Sequence, residues 1–272
     1  MNAKNEQPEI QTLSETMPVF PNTQVIKERE ESKVLEGALQ ELDMAPDYAS
    51  TAYYVIPFRN YETGRTTNVE GPSSKAAMCL ARRWGNCWNG ARVAEQQEDR
   101  VVVQGIFHDA ETNLTTMRSV SVSKFYLPKG TKVKTPLRED RLNIAIQAGM
   151  SKAVRNAILA SLPTWLVDQY VKKAKGIAVT LLTTGKDKPT EKDLKARLEA
   201  MAKAFASQGV TAENLKVYMD NLGEVSGNEL LEHMIGVFNA LKDGQTSVDE
   251  VFAEKPKEKE PQPVNLKEVL GE

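Results

Sequence analysis

The 272-residue chain has little sulfur and little imidazole: two cysteines, Cys79 and Cys87, and two histidines, His108 and His233. That set does not make a standard zinc site, and no metal or other cofactor is expected. No apolar run approaches the roughly 18 residues a bilayer span requires. The N-terminus, MNAKNEQPEIQ, is too polar and acidic for a secretory signal. A reduced, cytoplasmic protein without a membrane partner is the expectation. Catalytic signatures are missing as well: no GxxxxGKS or GxxxxGKT phosphate loop, no GxSxG elbow, no HExxH. A metal-dependent nuclease needs converging carboxylates, but the central acids Glu62, Glu98, Asp99, Asp109 and Glu111 fall in predicted turns. His108 beside Asp109 reads as a turn-adjacent, solvent-facing histidine rather than half of a catalytic pair. No enzyme is expected.

What the chain does have is charge sorted along its length. Residues 1–52 hold 4 Lys and Arg against 10 Asp and Glu; residues 53–176 hold 19 against 10; residues 177–272 hold 12 against 17. A net charge of −2 therefore conceals a basic centre of +9 between flanks of −6 and −5. Such a centre suits a polyanion, and the acidic flanks suit regulation or protein contacts. Apolar residues at 40% and charged residues at 26% are enough for a real core.

Residues 1–22, with Pro8, Pro18 and Pro21 in a polar context, are expected to be disordered. Val25, Val34, Leu35, Leu39 and Leu42 recur at helical spacing and predict a helix over 24–44. AYYVIPF (52–58) predicts a strand, with NYETGRT as the turn after it. Within GPSSKAAMCLARRWGNCWNG (71–90), Ser73 or Ser74 can cap a short helix that Gly85 and Asn86 end. Ala77, Leu80 and Trp84 form its apolar stripe. Three strands follow, at 87–97, 100–110 and 114–126, with turns at Glu98-Asp99 and Glu111-Thr112-Asn113. In the third, Met117, Val120 and Val122 alternate with Arg118, Ser119, Ser121 and Ser123, with one slip near 119–120. An antiparallel meander with one solvated face fits this pattern. A basic loop (127–140) leads to a helix over 140–161, and helix resumes over 164–176. Farther on, Thr190, Ser226 and Ser247 open helices with capping signals. AEKPKEKEPQP (253–263) is a charged linker before an acidic-amphipathic tail, VNLKEVLGE. The fold class is α+β: an antiparallel meander packed with helices, then a small helical C-terminal domain.

Candidate phosphate-binding cations lie on four elements. They are Arg59 and Arg65 at the first turn, Lys75, Arg82 and Arg83 on the short helix, Lys132 and Lys134 (with Lys129 and Arg138) in the basic loop, and Arg141, Lys152 and Arg155 on the long helix. Around that helix the last two lie within about 40° of Arg141, and Ala145 and Ala148 share their stripe. Tyr53, Tyr54, Phe58, Trp84, Trp88, Phe125 and Tyr126 are interleaved with these cations. Cations for phosphates and rings for bases are what a single-strand binder needs. The bland alternative is core packing for the rings and a solvated, salt-bridged face for the cations.

Three stretches resemble the phage single-strand annealing proteins of the RecT, Red beta and Erf assemblage: YYVIPFRNYETGRTTNVEGPSSKAAMCLARRWGN, VVVQGIFHDAETN with the strand after it, and REDRLNIAIQAGMSKAVRNAILASLPTWLVD. The C-terminal FASQGVTAENLKVYMDNLG resembles their helical tail domain, so the likeness covers roughly residues 50–250. The resemblance implies ATP-independent annealing of single-stranded DNA on a homo-oligomeric ring or filament, for phage-type recombination. It implies a basic groove with Lys75, Arg82 and Arg83 on one wall and Arg141, Lys152 and Arg155 on the other, and Trp84 anchoring its helix to the sheet. It also implies that the C-terminal region recruits a host single-strand-binding protein or a phage exonuclease. The domain plan is then a disordered 1–22, a basic nucleic-acid-binding and oligomerisation domain over 23–180, a flexible helical domain over 190–252, and a linker and tail over 253–272. Two alternatives compete: a non-enzymatic interaction module whose basic centre meets an acidic partner, and an RNA- or duplex-binding regulator.

Overall fold

The computed structural model describes residues 25, 27–59, 66–128, 133–182, 191–222 and 227–252. The first helix, α1 (Glu31–Met44), buries Val34, Ala38 and Leu42, one face at four-residue spacing. It starts later than the periodicity predicts: Lys27 and Arg29 lie ahead of the helix, their backbone bound by the side chains of Asn86 and Glu111. After α2 (Pro46–Ala49), β1 (Tyr53–Arg59) pairs antiparallel with β2 (Thr66–Pro72), in register from Tyr53 with Pro72 to Arg59 with Thr66. Sequence reasoning passes over β2. TTNVEGP has one strongly strand-favouring aliphatic, Val69, and its partner strand decides its conformation.

The short helix α3 (Ser74–Trp84) is capped as its sequence indicates, the Ser73 hydroxyl accepting from the Ala76 amide at 3.3 Å. Gly85 (φ +67°) and Asn86 (φ +42°) then turn the chain through the left-handed region. The meander follows as β3 (Cys87–Gln96), β4 (Arg100–Asp109) and β5 (Leu114–Ser123), in that spatial order. Its one irregularity is in β3, between Val93 and Glu95; β4 and β5 pair without a slip. The break in alternation expected near 119–120 is therefore not a bulge. Val101, Val103 and Gly105 pair with Val122, Val120 and Arg118, so Arg118 shares the valine face, and Met117 and the serines take the other. The short pair β6 (Phe125–Tyr126) and β7 (Thr135–Pro136) leads into α4 (Glu139–Ser161).

Helix α4 lies on the valine face, closing a core of Val101, Val103, Val122 and Ala153. Gly105 makes that approach possible: a Cβ there would sit 2.1 Å from the Ala153 carbonyl carbon. Past Leu162 and Pro163, α5 (Thr164–Leu182) adds Leu166, Tyr170 and Ala174 to a core shared with α1 and α3.

The C-terminal region is helical as expected: α6 (Glu191–Ser207), α7 (Ala212–Leu222), α8 (Gly227–Lys242) and α9 (Val248–Val251). Ser247 and Glu250 form the expected capping box, whereas the caps read at Thr190 and Ser226 lie outside the described residues, as do 1–22, 183–189 and 253–272. These helices do not stand apart from β1. Val55 belongs to the core of Phe205, Tyr218, Met234 and Phe252. The Asn239 amide donates to the Ser50 and Tyr53 carbonyls at 2.6 and 2.9 Å, and the Tyr53 hydroxyl donates to the Glu232 carbonyl at 3.0 Å. Capping signals show where these helices start but not which strand their apolar faces cover.

Candidate nucleic-acid interface

The paired arginines of α3 project toward α1. Arg83 donates to Glu41 from Nε at 2.9 Å and lies 2.8 Å away through Nη2, and Arg82 reaches the other carboxylate oxygen at 3.4 Å. Both remain substantially exposed, at 43% and 68% of their side chains, so the pairing steers them without removing their charge from solvent. Lys75, on the first turn of α3, is exposed and has no ion-pair partner among the described residues.

On α4 the three cations separate. Arg141 is exposed and Lys152 half-buried, and neither has an ion-pair partner among the described residues. Arg155 is 5% exposed. Its guanidinium lies 4.8 Å from the Tyr54 ring centroid and donates to Gln245 at 2.8 Å and to Asn156 at 3.1 Å. The spacing that places Arg155 near Lys152 on the helix is sound, but β1 and the turn after α8 cover that flank. Arg155 is thus a packing cation that holds the C-terminal region to α4, and not a groove wall. Lys134 is exposed, and its charge helps to lower the Asp99 carboxyl, behind the hydrogen bond from Arg100. Arg65, Lys129 and Lys132 lie outside the described residues; Arg59 ends β1, and its side chain also lies outside them.

Register identifies a cation that the motif reading left out. Arg118, exposed on the outer strand β5, pairs across from Gly105, the residue on which Ala153 rests. It therefore stands on the helix-bearing face at the level of Ala153, next in sequence to Lys152. The signal was its phase with Val120 and Val122, masked by the apparent slip in alternation.

Trp84 is not a base platform. It is 5% exposed, its indole Nε1 donates to Asp109 Oδ2 at 3.0 Å, and the Arg29 guanidinium carbon lies 3.9 Å from its ring centroid. Asp109 is itself buried at 4% exposure, the reverse of the solvated turn its position suggests. It also accepts from Arg29 Nη1 and Nη2, each at 2.8 Å, and from the Glu111 amide at 3.0 Å. Burial pushes this carboxyl up, but the hydrogen bonds from Arg29, Trp84 and the Glu111 amide outweigh it and hold the group at about 2. His108 points to the opposite sheet face, where Nδ1 meets the Thr115 hydroxyl at 3.0 Å, so the two neighbours form no dyad. Both thiols are buried enough to be raised in pKa, Cys87 to about 11, which leaves them poor nucleophiles. Among the described residues no helix is long and apolar enough to cross a membrane.

Compared with known proteins, the chain matches no family model, no curated protein and no solved structure.

Proposed function

We propose that this chain binds single-stranded DNA and anneals complementary strands without ATP, as a non-enzymatic homo-oligomeric protein of phage-type recombination. The observation that carries the reading is where the uncommitted positive charge lies. Arg141 and Lys152 share one side of α4, about 20° apart around the helix, with no ion-pair partner among the described residues. Arg118 stands beside that helix on β5, and Lys134 lies just ahead of it. A flexible anionic backbone is a natural counter-charge for such a row, because phosphate contacts need cations in line and no fixed base sequence. The C-terminal region then serves protein partners, a single-strand-binding protein or an exonuclease.

The test is fluorescence-monitored annealing of two complementary oligonucleotides with purified protein and no nucleotide, across a salt series. Acceleration, with affinity falling steeply as salt rises, is the expected result. Replacing Arg141 and Lys152 together by alanine should weaken binding to every sequence alike. It should also flatten the plot of log affinity against log salt by about 1.4, two phosphates at ~0.7 each. Absence of binding at low salt would sink the proposal and point to an acidic protein as the partner.

A further inference from the structure

The meander ends in two edge strands that differ in kind. β3 is broken by the irregularity between Val93 and Glu95, and its Trp88 and Arg92 are already engaged. β5, LTTMRSVSVS, pairs with β4 from Leu114 to Ser123 without a slip, and among the described residues no strand lies on its outer side. Over Leu114–Val120 the only described bonds outside that ladder are Thr115 with His108 and Arg118 with the Met117 carbonyl, at 3.0 and 3.2 Å. Natural sheets blunt such an edge with proline, lysine, an inward charge or a bulge. β5 has none of these, and Arg118 is its one charge. It also exposes two large apolar side chains, Leu114 at 49% and Met117 at 38%.

We propose that the outer edge of β5 pairs antiparallel with β5 of a second copy of this chain, across a two-fold axis at Met117. The inference rests on the homo-oligomeric reading above and names its contact. Opposed residues of an antiparallel pair share a face, so Met117 meets Met117, Leu114 meets Val120 of the other copy, and Arg118 meets Thr116. Both exposed apolar side chains are thereby covered, and Thr115 stands opposite Ser119. No carboxylate or lysine is brought into the contact. The two Arg118 side chains stand diagonally, about 7–8 Å apart at the backbone, instead of face to face. The neighbouring registers are worse. An axis at Arg118 opposes the two guanidiniums directly. An axis at Ser119 asks Lys124 to pair with Leu114, although β5 has ended there and the Lys124 carbonyl already accepts from the Leu137 amide at 2.8 Å. An axis earlier than Met117 runs off the start of the strand at Leu114. The Met117 axis stands normal to the sheet, so both copies carry α4 on the same face. Their Arg118, Arg141 and Lys152 rows then lie on one side of the pair.

The test uses the full chain carrying Met117→Cys and a short bis-maleimide cross-linker, with the unsubstituted protein as control for Cys79, which is buried, and Cys87, which is half-buried. A covalent dimer joined from residue 117 to residue 117 is expected, as is cross-linking of Thr115→Cys to Ser119→Cys when those two variants are mixed. Met117→Lys, a lysine on the edge, should shift sedimentation from dimers or their multiples to monomer with the circular dichroism unchanged. Assembly of the Met117→Lys variant like the unsubstituted protein would overturn the inference, and so would an assembled protein that gives no 117–117 cross-link. Annealing by a protein that gives no such cross-link sinks this contact alone. The cross-link in a protein that binds no DNA leaves the contact standing and sinks the proposed function.

Discussion

The Arg29–Asp109 pair allows the sharpest prediction about stability. Arg29→Ala removes two hydrogen bonds and one charge from a carboxylate that is 4% exposed, leaving it the Trp84 indole and the Glu111 amide as donors. Breaking a buried pair by deleting one partner typically costs about 3–5 kcal/mol, because the survivor stays desolvated and uncompensated. The acid dependence gives an independent handle. In the intact protein Asp109 is lowered from its ordinary 3.8 to about 2, worth roughly 2–3 kcal/mol by linkage. Since the folded value is the depressed one, this contribution is complete above about pH 4 and is lost as pH falls toward 2. In Arg29→Ala, burial dominates and the carboxyl rises, so the variant loses that contribution already at neutral pH. Urea unfolding followed by circular dichroism should therefore show a gap of about 3–5 kcal/mol at pH 7 that narrows by pH 3. A gap under about 1 kcal/mol at pH 7, or one that does not narrow with acid, would refute the reasoning.

Three further outcomes follow from the packing. Gly105→Ala places a methyl 2.1–2.3 Å from the Ala153–Val154 backbone, so α4 must lift off the sheet, at a cost of about 3 kcal/mol or more read from the thermal midpoint. Arg155→Ala should destabilise the fold by about 3 kcal/mol, through loss of its packing and its Gln245 and Asn156 bonds; the salt slope of DNA binding should stay unchanged, and a slope lowered like that of the Arg141 and Lys152 variant would return Arg155 to the interface. Asn239→Ala strands the Ser50 and Tyr53 carbonyls, costing about 1–3 kcal/mol, and faster amide exchange over β1 and α8 is the accompanying readout.

Elements that announce themselves locally were legible in the sequence. Ser73 and the Gly85-Asn86 stop bound α3, the alternation of β4 and β5 showed a meander, and Pro163 marked the break between α4 and α5. What escaped depends on partners distant in sequence. Strand β2 exists because β1 pairs with it. Arg155 is buried because Tyr54 and Gln245 close over it from about 100 and 90 residues away. Asp109 looks like a turn residue until Arg29, 80 positions upstream, is brought beside it. Helical angle is a local property and exposure is not, and for that reason three cations with similar bearings on α4 divide into one exposed, one half-buried and one packed.

The same distinction explains how a chain of net charge −2 can offer a cationic surface. The acidic segments spend carboxylates on particular partners: Glu41 on Arg82 and Arg83, Asp43 on Lys173, and Glu232, with Glu70, on Lys175. All of these contacts lie on α3 and α5, where α1, β2 and α8 reach them. None of the described carboxylates from either flank pairs with Arg118, Arg141 or Lys152. Charge separated along the sequence is therefore also separated in space, with compensation on the α1–α5 side and the positive remainder along α4 and β5. On the proposed reading a phosphate chain on that side meets Arg118, Arg141 and Lys152, with Glu139 and Asp140 in the first turn of α4 as the acids beside them. At 0.15 M salt the field of each cation fades over about 8 Å, so placement of these few side chains, and not net charge, decides whether a strand is held.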